Sequence, residues 1–141
     1  MSRTIGSKDS VPRKRRADAG QPRKAIANAQ PTEKEILAAV LAHWKALGNQ
    51  DTLIATIPNA GAFGQLGLTK GLPDLIVLGH SIPGRIGFIE LKRIGGKPSP
   101  AQEEFQARCV ALGISHAITY GRDEPIYVLE GWGVLKPRHG D

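Results

Sequence analysis

The chain has a single cysteine, Cys109, so no internal disulfide can staple it. Its four histidines are scattered, without the close pairing that a structural zinc site needs. Aromatic residues make up only 5% of the sequence, which argues against a base-stacking sheet of the kind found in RNA-recognition modules. No apolar run approaches the length of a membrane span, and the basic start lacks the apolar segment of a signal peptide. An intracellular, cytoplasmic protein with no membrane partner is therefore expected. The glycine-rich stretch Asn59–Gly71 (NAGAFGQLGLTKG) lacks the Gly-Lys-Ser/Thr ending of a phosphate-binding loop, which speaks against a nucleoside triphosphate site.

What is present is a hydrophobic content of 40% over 141 residues, enough for one folded domain and a tail. The net charge of +6 suggests a nucleic-acid partner, but it is unevenly spread. Met1–Pro31 carries eight Lys/Arg against two Asp, whereas Thr32–Asp141 carries eleven basic and eleven acidic residues. The first segment has no apolar period and reads as a disordered basic tail. Its cluster Arg13-Lys14-Arg15-Arg16 suits salt-sensitive contact with phosphates. The alternative is a solvated tail that serves solubility alone.

Residues 32–141 read as one domain. Thr32-Glu33-Lys34-Glu35 is a capping-box pattern that opens a helix to about Leu47, closed by Gly48. Ile36, Leu37, Val40, Leu41, Trp44 and Leu47 form its apolar stripe. At about 100° per residue, Glu33 falls near the centre of that stripe and Glu35 nearly opposite. A strand follows over Thr52–Pro58, and then the glycine-rich loop. Ser99 caps a second helix to about Leu112, with Pro100 first, Gln102 as the reciprocal partner, and Phe105, Cys109 and Leu112 inward. Ser115–Tyr120 is a further strand, in which His116 reads as packed rather than catalytic. Asp123 is expected to cap a third helix that turns Ile126, Leu129 and Trp132 inward.

The centre of the domain is Gly71–Lys92, GLPDLIVLGHSIPGRIGFIELK. It reads as two apolar strands, Pro73–Gly79 and Arg85–Lys92, joined by a turn over His80–Gly84. Side chains alternate along a strand, so Glu90 and Lys92 share a face about 7 Å apart. A hairpin could bring Asp74 beside Glu90 there. Burying two carboxylates and an ammonium is costly unless they meet a metal or each other. Carboxylate oxygens make a site for a hard cation such as Mg2+.

Pro73-Asp74 followed by Glu90-Leu91-Lys92 resembles the PD-(D/E)XK nucleases. With Gly71-Leu72-Pro73-Asp74-Leu75, Phe88-Ile89-Glu90-Leu91-Lys92 and Gly96-Lys97-Pro98-Ser99-Pro100-Ala101-Gln102, the stretch Thr32–Leu135 is similar to the VRR-NUC branch, known from viral replication-repair nucleases. The resemblance implies an α/β, restriction-endonuclease-like sandwich with a central mixed sheet flanked by helices. It implies a Mg2+- or Mn2+-dependent deoxyribonuclease holding metal on Asp74, Glu90 and the Leu91 carbonyl, with Lys92 assisting. It adds Glu33 as an extra acid and Gln102 as an active-site amide. Lys70, Arg93 and Lys97 become nucleic-acid contacts, branched DNA a candidate substrate, viral or prophage origin and DNA repair the setting, and a homodimer a candidate assembly. Two other readings stay open: a DNA-binding module active only with a partner, and a structural domain whose Asp74, Glu90 and Lys92 form a buried ion network.

Overall fold

A capping box opens the first helix. The Thr32 hydroxyl accepts the Glu35 backbone N–H at 3.1 Å, and the Glu35 carboxylate accepts the Thr32 N–H at 2.9 Å. These bonds satisfy donors that have no partner within the helix. The computed structural model describes residues 30–58 and 69–138. The expectations for the tail, its Arg13–Arg16 cluster and most of the glycine-rich loop lie outside the described residues.

Helix α1 (Glu33–Leu47) buries Ile36 and Val40, with Leu37, Leu41 and Trp44 packed partly against the same core. Strands β1 (Leu53–Thr56), β2 (Leu75–Leu78), β3 (Ile86–Lys92) and β4 (Ser115–Tyr120) form a sheet in the order β1-β2-β3-β4. The first two pairings are antiparallel and β3 pairs β4 in parallel, so the sheet is mixed. A parallel neighbour needs a crossover. Helix α2 (Pro100–Leu112) supplies it, and α3 (Asp123–Gly131) follows β4.

Leu75 and Val77 of β2, Ile89 and Leu91 of β3, and Ile126 and Leu129 of α3 join α1 in one core. Alternation sends Phe88, Glu90 and Lys92 to the opposite face. There α2 covers the sheet, its Phe105 ring set edge-on against Phe88 at 5.5 Å.

Several expectations shift. The first strand is shorter than Thr52–Pro58, and the hairpin strands begin at Leu75 and Ile86. The turn between them carries a short 3-10 segment, Pro83–Arg85, and buries Ile82 in the core. Leu112 is 68% exposed rather than inward. Its phase matches Phe105, but among the described residues the last turn of α2 is covered at Cys109 and not at Leu112. Asp123 is the first residue of α3, not its cap; Arg122 holds that position and is already helical. Glu124 does related work, its carboxylate accepting the Tyr120 N–H at 2.9 Å. Val134 and Leu135 close the core from beyond α3, with Leu135 bridged to Gly48. Among the described residues no helix is long and apolar enough to cross a membrane.

Candidate active site

Strand register assembles the central pair. Leu75 stands opposite Ile89, so one step further along the antiparallel ladder Asp74 comes opposite Glu90. Because Leu75 and Ile89 face the core, Asp74 and Glu90 face away from it, on the side of Lys92. Asp74 is tied to β3 directly: its Oδ2 accepts the Leu91 backbone N–H at 2.7 Å.

Glu90 is the unusual group. It is only 3% exposed. Its Oε2 receives the Lys92 ammonium at 3.3 Å and the Gln102 amide Nε2 at 3.0 Å. Its Oε1 is buried and, among the described residues, has no hydrogen-bond partner. Burial, and secondarily the negative charge of Asp74, push its carboxyl up to about 7, against the opposing pull of Lys92. The Glu90 backbone is fixed as well, its carbonyl accepting the buried Thr119 hydroxyl at 3.1 Å.

Gln102 makes two sets of side-chain contacts. Its Oε1 accepts the Ser99 N–H at 2.8 Å and its backbone N–H reaches the Ser99 hydroxyl at 3.1 Å, which closes the capping box of α2. The same side chain turns its NH2 group to Glu90.

Glu33, Asp74, Glu90 and Gln102 line one cleft of about 180 Å³, together with Pro73, Gly71, Thr69 and the residues that follow β1, Ile57 and Pro58. Both α1 and α2 begin at this cleft. Glu33 lies on its wall but is itself exposed, so the face it shares with the apolar stripe opens onto the cleft rather than the core. Lys92 meets the cleft through Glu90. Leu91 contributes its amide to Asp74, while its side chain is core. Lys70 is exposed one residue before Gly71, and Arg93 and Lys97 are exposed after β3; among the described residues no ion pair joins them to the carboxylates. Arg13, Lys14, Arg15 and Arg16 lie outside the described residues. His116 packs beside Phe105 at 5.7 Å, and burial lowers its pKa. Cys109 is buried. Neither lines the cleft.

Two contributors were not singled out from the sequence. Thr119 reaches Glu90 only through the parallel β3–β4 register. Gly71 holds φ +85 against Ala101, and its place two residues before the Pro73-Asp74 pair was the available signal.

These residues fit a hard divalent cation. Two carboxylates adjoin, one offers a buried oxygen without a partner, and the strain on its charge is what a cation would relieve. Among the described residues no three His, Cys, Asp or Glu side chains converge as a cage. The protein would thus supply two carboxylates and leave other positions to water, as Mg2+ prefers.

The chain matches no protein-family model and no curated protein. Among solved structures, one described as a "VRR_NUC domain protein" aligns over 73% of this chain and 88% of its own, with TM-score 0.57 and 23% identity. Another, a "VRR_NUC domain", aligns over 72% of this chain and 97% of its own, with TM-score 0.51 and 21% identity. This chain has the VRR_NUC fold. At such identities the likeness concerns the fold alone. The mixed sheet with helices on both faces fits the restriction-endonuclease-like architecture expected from Pro73-Asp74 and Glu90-Leu91-Lys92.

Proposed function

We propose that this protein is a metal-dependent nuclease that hydrolyses DNA phosphodiester bonds, with branched DNA of replication or repair as one candidate substrate class. The observation that carries the reading is the buried Glu90 Oε1, without a partner, beside a second carboxylate in an open cleft. An ion network satisfies that oxygen only if the Glu90 carboxyl keeps a proton and donates it to Asp74, whereas a cation would satisfy it in the charged form. The VRR_NUC fold neighbours support a nuclease-type domain.

Asp74 and Glu90 would hold the cation, Mg2+ or Mn2+, with the Leu91 carbonyl as a further oxygen. When bound, such an ion supplies positive charge against the phosphate and lowers the pKa of a coordinated water. Lys92, on the same face, orients the attacking water or neutralises charge gathering on the phosphate oxygens. Gln102 and Lys92 fix the orientation of Glu90 from its Oε2 side. Glu33, exposed and lining the same cleft, adds a third acid within reach of solvent. Lys70, Arg93 and Lys97, all exposed, would meet the strand's phosphates. Water adds to phosphorus as the ester bond breaks, leaving a 3′-hydroxyl by analogy with the nucleases that the motif resembles.

The test is incubation with labelled flaps, junctions, nicked and plain duplexes and single strands, in Mg2+, Mn2+ or chelator. Cleavage that needs the metal is the expected result. No cleavage of any substrate with either metal overturns the reading.

A further inference from the structure

The loop before Asp74 and the first turn of α2 meet with no room between them. Gly71 holds φ +85, and a Cβ there would lie 2.4 Å from the Ala101 carbonyl oxygen and 2.5 Å from its carbon. Those are backbone atoms, which cannot swing aside. The Ala101 carbonyl carbon is bonded to the Gln102 nitrogen, so any displacement acts at once on Gln102.

Gln102 has little freedom of its own. An amide can present either its oxygen or its NH2 group to a neighbour. Here the Ser99 N–H holds Oε1 at 2.8 Å, which leaves Nε2 for Glu90 Oε2 at 3.0 Å. With Lys92 on that same oxygen at 3.3 Å, the two donors occupy Oε2 and leave Oε1, buried and without a partner among the described residues, on a side chain that lines the cleft.

We propose that Gly71 and the Ser99–Gln102 capping box form one positioning device, which seats the first turn of α2 so that Glu90 presents Oε1, and only Oε1, to a divalent cation. Gly71 and Gln102 are positioning residues in this scheme. The scheme rests on reading the cleft as a cation site, but it does not depend on DNA cleavage. Outer partners that orient a ligand are worth about 10–100-fold in metal affinity.

The experiment is a calorimetric titration of the full chain with Mn2+, paired with metal-free melting curves. Gly71→Ala is compared with Gly113→Ala. Both glycines sit at positive φ, +85 and +73, so both substitutions strain the backbone. Nothing lies within 4 Å of a Cβ at Gly113, whereas one at Gly71 meets Ala101. Gly71→Ala should therefore weaken Mn2+ binding about 10-fold or more, while Gly113→Ala lowers the melting temperature and leaves binding at the wild-type value. Gln102→Met, which removes the Nε2 donor to Glu90, should repeat the loss of affinity. Wild-type affinity in both Gly71→Ala and Gln102→Met overturns the proposal, as does equal loss in Gly113→Ala. A wild-type chain that takes up no Mn2+ overturns it too. Mn2+ uptake with no DNA cleaved would defeat the nuclease reading and leave this one standing.

Discussion

Glu33 and Glu35 lie two residues apart and do different work. Glu35 closes the cap of α1, while Glu33 stands on the cleft wall. Glu35→Ala should cost about 1 kcal/mol of stability with near-normal turnover of the folded protein. Glu33→Gln should slow cleavage and leave the melting temperature alone. Thermal melts and cleavage rates on both variants check this, and loss of activity in Glu35→Ala without a lower melting temperature would contradict it. Glu90 makes a second prediction. Its carboxyl is raised from 4.5 to about 7 in the folded protein. Below 4.5 both states hold the proton; between 4.5 and 7 only the folded state does. Metal-free stability should therefore fall as pH rises through that window, by up to roughly 3 kcal/mol, and level off above it. Denaturant titrations from pH 4 to 8 should show the fall in the wild type and its absence in Glu90→Gln. The pairing of Asp74 with Glu90 was legible because strand alternation and hairpin register are local rules. Which oxygen of Glu90 is free was not, since that depends on a donor from α2 and a register with β4.

At the scale of elements, caps and stripes were readable where neighbours in sequence decide the matter. Thr32 and Ser99 cap as their patterns expect. Asp123 does not, because the turn through Gly121 already sets Arg122 in helical geometry. Leu112 shows the other limit: its helical phase is right, but whether anything covers that phase is a property of the whole fold. Leu112→Ala should thus change stability by no more than about 0.5 kcal/mol. Leu129→Ala, in a fully buried position of α3, should cost about 2–5 kcal/mol. Equal denaturation midpoints for the two variants would contradict this placement. Ile82, Val134 and Leu135 entered the core unannounced, since one sits in a turn and the others follow the last helix, where no periodicity marks them.

For the molecule as a whole, charge and chemistry are separated along the chain. The first 31 residues hold all the excess positive charge, eight Lys/Arg against two Asp, while the acids of the cleft belong to a stretch of zero net charge. Removing Met1–Pro31 should weaken DNA binding and flatten its salt dependence, by about 0.9 in the log–log slope for each phosphate no longer neutralised. Cleavage at saturating protein should survive, and an unchanged slope would show that the tail does not touch DNA. The central claim is that the cleft hydrolyses DNA with Lys92 acting beside a carboxylate-held cation. Its most direct test is the Mg2+-dependent cleavage rate of wild type against Lys92→Ala, on whichever DNA structure the wild type cuts best, with Mn2+ binding checked in both. The account predicts that Lys92→Ala, at metal concentrations that saturate each protein, cleaves about 100-fold more slowly or worse. Equal rates in the two proteins would contradict it.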